Sequence, residues 1–243
     1  MIIDSHCHLY DLKNYTLPRD IYPVVVGYSY SSNKKAVAIA KGKYPFVLGI
    51  APQSAIKHGT DRLEEWVEFI RESKPHAIGE VGLDYKWAET NEDVEAEKKV
   101  FSRMIELSDE MRIPLVIHSR NNPNDNDLPK NAVEDILEMV GERKVLMHFY
   151  SGSAELAKKI VDNGGYISII HLHSKERRKV INSIPLERLL VESDSPFVGR
   201  TPDVIREAID YISEVKQISR EEVAKKTTEN AMEFFGLEVQ DVS

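Results

Sequence analysis

Eight short apolar runs, separated by helical patterns at intervals of roughly 30 residues, constrain this chain more than any other feature. The first opens at Ile2-Ile3, and the others run over Pro23 to Tyr28, Phe46 to Ile50, Ala77 to Gly82, Pro114 to His118, Lys144 to Phe149, Gly165 to Ile170 and Arg188 to Glu192. Apolar runs without alternation read as strands buried on both faces. Helices are expected between them: Lys34 to Lys41 behind Ser31-Ser32-Asn33, Thr60-Asp61 to Ser73, Glu92 to Met111, Asn131 to Val140, Ala154 to Asp162 and Lys175 to Asn182. Leu63, Trp66, Val67 and Ile70 follow the i, i+3, i+4, i+7 spacing of one buried helical face. In the long helix Glu92 to Met111, Val94, Phe101, Ile105 and Leu107 turn to the core, and Pro114 forbids its continuation. Two further helices follow, Pro202 to Lys216 and Arg220 to Phe235, the second capped by Ser219 with Glu222 three residues on. Alternation of strand and helix implies parallel pairing, and eight units imply closure, so the predicted fold is an α/β (β/α)8 TIM barrel with an additional C-terminal helix. A length of 243 residues without a linker makes residues 1–243 a single domain. The alternative, an open doubly wound sheet, lacks a glycine-rich phosphate loop after any strand.

Charge bears on partners. The net charge of −8 argues against a broad, non-specific grip on nucleic acid. Residues 1–60 hold seven Lys or Arg and three Asp, a balance of +4, so the remainder carries −12. Chance composition explains this simply, and a polyanion touching the N-terminal loops is the functional reading. Cys7 is the single cysteine, which excludes an intrachain disulfide. Without a signal-peptide pattern or an apolar run near 18 residues, a cytoplasmic protein with no membrane contact and no obligate protein partner is expected. The polar loop Asn121 to Pro129 is expected to be mobile and near the mouth of any site.

Metal-capable side chains gather at the ends of the runs. His6 and His8 close the first, and on a strand residues two apart share a face about 6.6 Å apart. Glu80 closes the fourth, His118 the fifth and His148 the sixth, while Asp194 follows the eighth. Singly, each reads more simply as a hydrogen-bonded core residue. Six at the C-terminal ends of strands, where barrel enzymes keep their active sites, point to a metal site. Histidine with carboxylate suits Zn²⁺, Mn²⁺, Fe²⁺ or Co²⁺ better than the all-oxygen sites of Ca²⁺ or Mg²⁺. Four His and two carboxylates exceed the three protein ligands of a mononuclear catalytic zinc, so two metals sharing one carboxylate are the natural division. Paired metals are a known device for hydrolysing phosphate esters.

The blocks D-S-H-C-H-L, G-E-V-G-L-D-Y, I-H-S-R, H-F-Y-S-G-S and L-L-V-E-S-D-S-P, followed by T-x-x-N-A-x-x-F-F-G, occur in this order over nearly the whole chain. In this the sequence resembles the TatD family of metal-dependent deoxyribonucleases, in the metallo-dependent hydrolase superfamily. The resemblance implies a TIM barrel, two divalent ions (zinc, manganese or magnesium) and hydrolysis of DNA phosphodiester bonds by a metal-activated water, in the manner of a 3′–5′ exonuclease. It implies that His6, His8 and Asp194 hold one metal, that His118 and His148 hold the other, and that Glu80 lies between them. Asp194 would also orient or deprotonate the attacking water, making Asp194 and Glu80 the catalytic pair. The chain departs from the family pattern twice. It reads Gly49-Ile50-Ala51-Pro52-Gln53 where the family often has G-I-H-P-H, and the segment after Ser195-Pro196 is shortened. Both changes lie at the rim and bear on substrate choice.

Other residues stay open between two roles. Arg120 and Arg200 suit a phosphate, with surface salt bridges as the alternative. His171 and His173 repeat the H-x-H spacing; they read as non-ligands, though His171 could hydrogen-bond a substrate oxygen. Parity places Glu192 beneath Asp194 and Asp4 below His6, each to orient a ligating His or to pair with an Arg. Cys7 points away and packs. DNA is the expected substrate, strand ends being favoured over long duplex because an acidic chain concentrates its charge neutralisation in one place. Two alternatives are an amidohydrolase acting on a small cyclic amide, lactone or ester, and a non-catalytic metal-binding barrel.

Overall fold

The computed structural model describes residues 1–58, 60–124 and 126–238. Its eight strands are β1 (Ile2–Cys7), β2 (Ile21–Val26), β3 (Phe46–Leu48), β4 (Ala77–Asp84), β5 (Leu115–Arg120), β6 (Val145–Met147), β7 (Tyr166–Ile169) and β8 (Leu189–Val191). Each pairs in parallel with the next, in the order β1 to β8. Asp194 N donates to His6 O at 2.9 Å and His8 N to Ser195 O at 2.8 Å, stitching the end of β8 to β1 and nearly closing a TIM barrel. The helices are α1 (Tyr30–Ala40), α2 (Pro52–His58), α3 (Leu63–Ser73), α4 (Asn91–Met111), α5 (Ala132–Val140), α6 (Ala154–Asp162), α7 (Lys175–Ser183), α8 (Ile205–Lys216) and α9 (Arg220–Phe235).

Alternate strand residues feed two apolar layers. Val25, Phe46, Leu48, Leu115, Ile117, Val145, Met147, Leu189 and Val191 pack outward with the helices. Their neighbours Ile3, Val24, Val26, Val47, Ala77, Val116, Leu146 and Leu190 form the second layer, which Ala231, Phe234 and Phe235 of α9 join. The additional C-terminal helix therefore plugs the barrel at the end where the strands begin, leaving the other end for polar side chains.

Helix starts follow local hydrogen bonding. Helix α1 begins four residues before the expected Lys34, because Ser29 is its cap: Ser29 Oγ accepts from Ser32 N, and Ser32 Oγ accepts from Ser29 N at 2.8 Å. The serines expected to precede this helix thus form its first turn. Helix α2 was not expected; Pro52 opens it, where a missing N–H costs nothing. Strands β4 and β5 run two residues past their expected ends, whereas β6 and β8 are shorter, so His148, Glu192 and Asp194 lie just past their strands. In the loop 121–130, Lys130 Nζ donates to Asn124 O and Asn126 O, both at 2.6 Å, and Asn122 Nδ2 donates to Asn126 Oδ1 at 2.7 Å. Part of the loop expected to be mobile is thus cross-linked by its own side chains; Asp125 lies outside the described residues.

Two register shifts interrupt the sheet. Between Asp4 and Cys7, β1 carries one residue more than β2, and between Ile78 and Val81, β4 carries one more than β5. Such bulges re-aim the side chains beyond them. Gly82, just past the second shift, has φ +133°, and a Cβ there would lie 2.1 Å from the carbonyl oxygen of His118. Gly82→Ala is expected to cost about 1–3 kcal/mol for the backbone conformation alone, with the collision adding to it. Thermal unfolding checks this: an unchanged melting temperature would contradict the account of β4.

Candidate metal centre

The C-terminal parts of β1 and β5, the middle of β4, where Glu80 lies four residues before the strand's end, and the residues just past β1, β6 and β8 bring all six expected side chains to one cluster. Glu80 is its centre. Its Oε1 lies 2.9 Å from His118 Nδ1 and 3.8 Å from His148 Nε2, and its Oε2 lies 3.5 Å from His6 Nε2. Asp194 Oδ1 faces His8 Nε2 at 3.4 Å and His6 Nε2 at 3.9 Å. The His6 and His148 rings stack with centroids 3.8 Å apart, and the His6 and His8 rings meet edge to face at 5.0 Å.

Among the described residues, two sets of ligand atoms are compact enough to hold a metal ion: His6, His8 and Asp194, and His6, Glu80 and His148. The first matches the division that the resemblance implied. In the second, His6 stands where His118 was expected, and His118 joins through its contact with Glu80.

The donor set fits a divalent cation. His6 is fully buried, and neither of its ring nitrogens has a hydrogen-bond partner among the described residues. A buried polar atom left unpaired costs about 1–3 kcal/mol, and a cation facing Nε2 would relieve it. Burial, then the fields of His148 and His8, hold the His6 imidazole below its ordinary value, which favours the neutral form that ligates metal.

Outer partners fix the other rings. His8 Nδ1 lies 2.8 Å from Val26 O; a carbonyl only accepts, so Nδ1 carries a proton, and Nε2 is the nitrogen that faces Asp194. His148 Nδ1 lies 3.1 Å from Glu192 Oε1, which also accepts from Phe149 N at 2.6 Å, while Ser168 Oγ donates to Glu192 Oε2 at 2.6 Å. Glu192 thus orients His148, as strand parity suggested, and among the described residues it has no Arg ion pair. His118 Nε2 lies 2.9 Å from Asp84 Oδ2. Burial lowers the His118 pKa, but Asp84 and Glu80 outweigh it and lift the group to about 9. Burial likewise opposes ionisation of Glu80, yet His118 and His6 hold its carboxyl well below the ordinary range. Asp194 is also lowered, by His8, His148 and His6 against burial.

Asp84 was not singled out in the sequence. It is fully buried, accepts from Gln53 Nε2 at 2.7 Å and lies 3.7 Å from Arg120 Nη1. Gln53, at the position where the family often has His, is therefore tied to His118 through Asp84. The available signal was spacing: Asp84 lies four residues past Glu80, on a strand that runs longer than expected.

Arg120 is 43% exposed, at the rim beside Asp84. His171 is half-buried past β7, its Nδ1 without a partner among the described residues. Arg200 is exposed. His173 stacks on Tyr211 with centroids 3.8 Å apart, away from the cluster's contacts. Asp4 takes neither anticipated role: its carboxylate accepts from Ser193 N at 2.9 Å, Ser193 Oγ at 2.5 Å and His6 N at 3.2 Å, tying β8 to β1. Cys7 is fully buried.

Behind Asp84 sits Glu97 of α4, also buried, whose Oε2 accepts from Asp84 N at 3.1 Å. Burial lifts its carboxyl to about 8, against the pull of that N–H. A carboxyl raised in the folded state contributes stability that is full below about pH 4.5 and is lost as pH rises through about 8. Glu97→Gln is therefore expected to gain in melting temperature relative to wild type between about pH 5 and about pH 9. A difference that stays constant across that interval would contradict it.

A family model described as TatD related DNase matches residues 3–236. The chain is 31% identical to an uncharacterized metal-dependent hydrolase, YabD, of Bacillus subtilis, covering 97% of this chain and 99% of that protein. It is 28% identical to the human deoxyribonuclease TATDN3, covering 96% and 94%. The crystal structure of YjjV, a TatD homolog from Escherichia coli, superposes with a TM-score of 0.82 at 21% identity, covering 98% of each chain.

Proposed function

The chain belongs to the family of TatD-related DNases, whose members named above include metal-dependent hydrolases, and from that premise we propose that it is a deoxyribonuclease removing nucleotides from DNA ends, in the manner of a 3′–5′ exonuclease. One observation carries the reading: the buried carboxyl group of Glu80 stands among three imidazoles, with a second carboxyl group, that of Asp194, beside two of them. Under this reading His6, His8, Glu80, His118, His148 and Asp194 hold two divalent ions, of the zinc, manganese or magnesium kind. Bound there, such ions supply Lewis acidity toward a phosphodiester and toward water.

The residues supply the rest. Asp194, held as the carboxylate, accepts the proton of the attacking water. Glu80 keeps its negative charge at the centre, with Asp84 and Glu192 fixing the rings that face it. Arg120 at the rim and the exposed Arg200 offer guanidinium groups to phosphate oxygens, and His171 offers its unpartnered nitrogen. With a net charge of −8, the protein has no overall cationic surface for long duplex, which favours a strand end at one concentrated centre. No helix among the described residues is long and apolar enough to cross a membrane.

Metal-loaded protein is expected to hydrolyse single-stranded DNA and bis-p-nitrophenyl phosphate. Asp194→Asn should lower kcat by roughly 10²–10⁴-fold, the range for losing a general base. No turnover of either substrate, with activity on a panel of lactones and cyclic amides, would overturn the phosphodiesterase reading in favour of an amidohydrolase.

A further inference from the structure

Five large apolar side chains are exposed among the described residues: Met1, Ile39, Trp87, Leu172 and Phe197. Met1 precedes β1 and Ile39 sits in the last turn of α1, at or near the plugged end. The other three follow β4, β7 and β8, on the face that carries the metal cluster. Phe197 is the most exposed, at 57%, and it touches a candidate ligand directly. Its ring lies 4.7 Å from the His8 ring and 5.9 Å from that of Tyr28.

The turn that carries Phe197 is held firmly. Val198 N donates to Asp194 O at 2.8 Å, Gly199 N donates to Ser193 O at 2.9 Å, and His8 N donates to Ser195 O at 2.8 Å. The aromatic ring is therefore placed three residues past Asp194 by backbone bonds to the same segment that positions that carboxylate. A phenyl group with no polar atom cannot contact phosphate usefully. It can offer a π face to a planar, apolar group attached to that phosphate, and every nucleobase has such a face.

We propose that Phe197 is a specificity residue, the platform on which the nucleobase at the cleaved end of a DNA strand stacks while its phosphate occupies the metal centre. This rests on the deoxyribonuclease reading and deepens it. Stacking of this kind is tolerant of sequence, so it selects unpaired ends without choosing among bases. Within a duplex the terminal base is already stacked and paired. A frayed or single-stranded end is the form that frees it.

The test uses metal-loaded protein and two single strands that differ only in whether the nucleotide at the cleaved end carries a base or is abasic. Phe197→Ala is expected to lose roughly 5- to 150-fold in kcat/KM on the base-bearing strand, and the ratio of wild type to variant should fall severalfold on the abasic one. Phe197→Trp should retain activity on the base-bearing strand, whereas Phe197→Leu, apolar but without a π face, should behave like Phe197→Ala. Binding gives a readout independent of turnover. With 2-aminopurine at the end and a terminal phosphonate linkage that resists hydrolysis, wild type and Phe197→Trp should quench its fluorescence more than Phe197→Ala. Equal losses on both strands, or equal quenching by wild type and Phe197→Ala, would overturn the proposal while leaving the nuclease reading intact. Absence of cleavage of either strand by wild type would overturn the nuclease reading, and the stacking role with it.

Discussion

A carboxylate buried at the mouth of the barrel, Glu80, sets the terms for everything around it. An ionised group taken out of water must be compensated at once, by hydrogen bonds or by opposite charge. Here His118 lies 2.9 Å away, His6 3.5 Å and His148 3.8 Å, and they come from three different strands. Each of those rings then needs its own orientation. Glu192 holds His148, and Asp84 holds His118 while itself receiving a hydrogen bond from Gln53. The centre is therefore built in two layers: an inner set that could hold a cation and an outer set of carboxylates that keeps the inner set in place.

The geometry of a strand makes this arrangement harder than it looks. Side chains alternate with a period of two, so a residue pointing inward commits every second neighbour to the same side. Val116 in the inner layer leads to His118, Leu146 to His148, and Leu190 to Glu192 and Asp194, all in step. Ile3 and Ala77 occupy the same layer but are out of step with His6 and Glu80. One additional residue in each of these two strands restores the match, and β1 and β4 are where the register shifts lie. The apolar layer below, plugged by α9, and the polar cluster above are thus reconciled within single strands. Asp194 adds a second local departure, a φ of +48° at the turn after β8.

Much of this was legible in the amino-acid order. The barrel followed from eight apolar runs alternating with helical patterns, and the six candidate ligands from their places at the ends of those runs. Glu192 was within reach because it follows Leu190 by two residues at the end of β8, so parity holds. Asp84 was not, because Gly82 looked like the end of its strand, and a residue whose φ is +133° gives no local sign that pairing continues. Gln53 was legible as a departure from the family pattern, but its tie to Asp84 required α2, a seven-residue helix without a strong period. The grouping of ligands also depended on packing. His6 and His148 stack face to face, which puts His6 in both compact sets and leaves His118 joined through Glu80. A single aromatic such as Phe197 has no periodicity at all, and only its exposure beside His8 draws notice.

Two cations sharing the Glu80 centre would be seen most directly by anomalous diffraction from metal-loaded crystals. Two peaks are expected, one bounded by His6, His8 and Asp194 and the other beside His148 and His118, with Glu80 between them, about 3.5–4 Å apart as in other paired sites. A single peak away from Glu80, or strong binding only at surface carboxylates with the cluster left bare, would contradict the account.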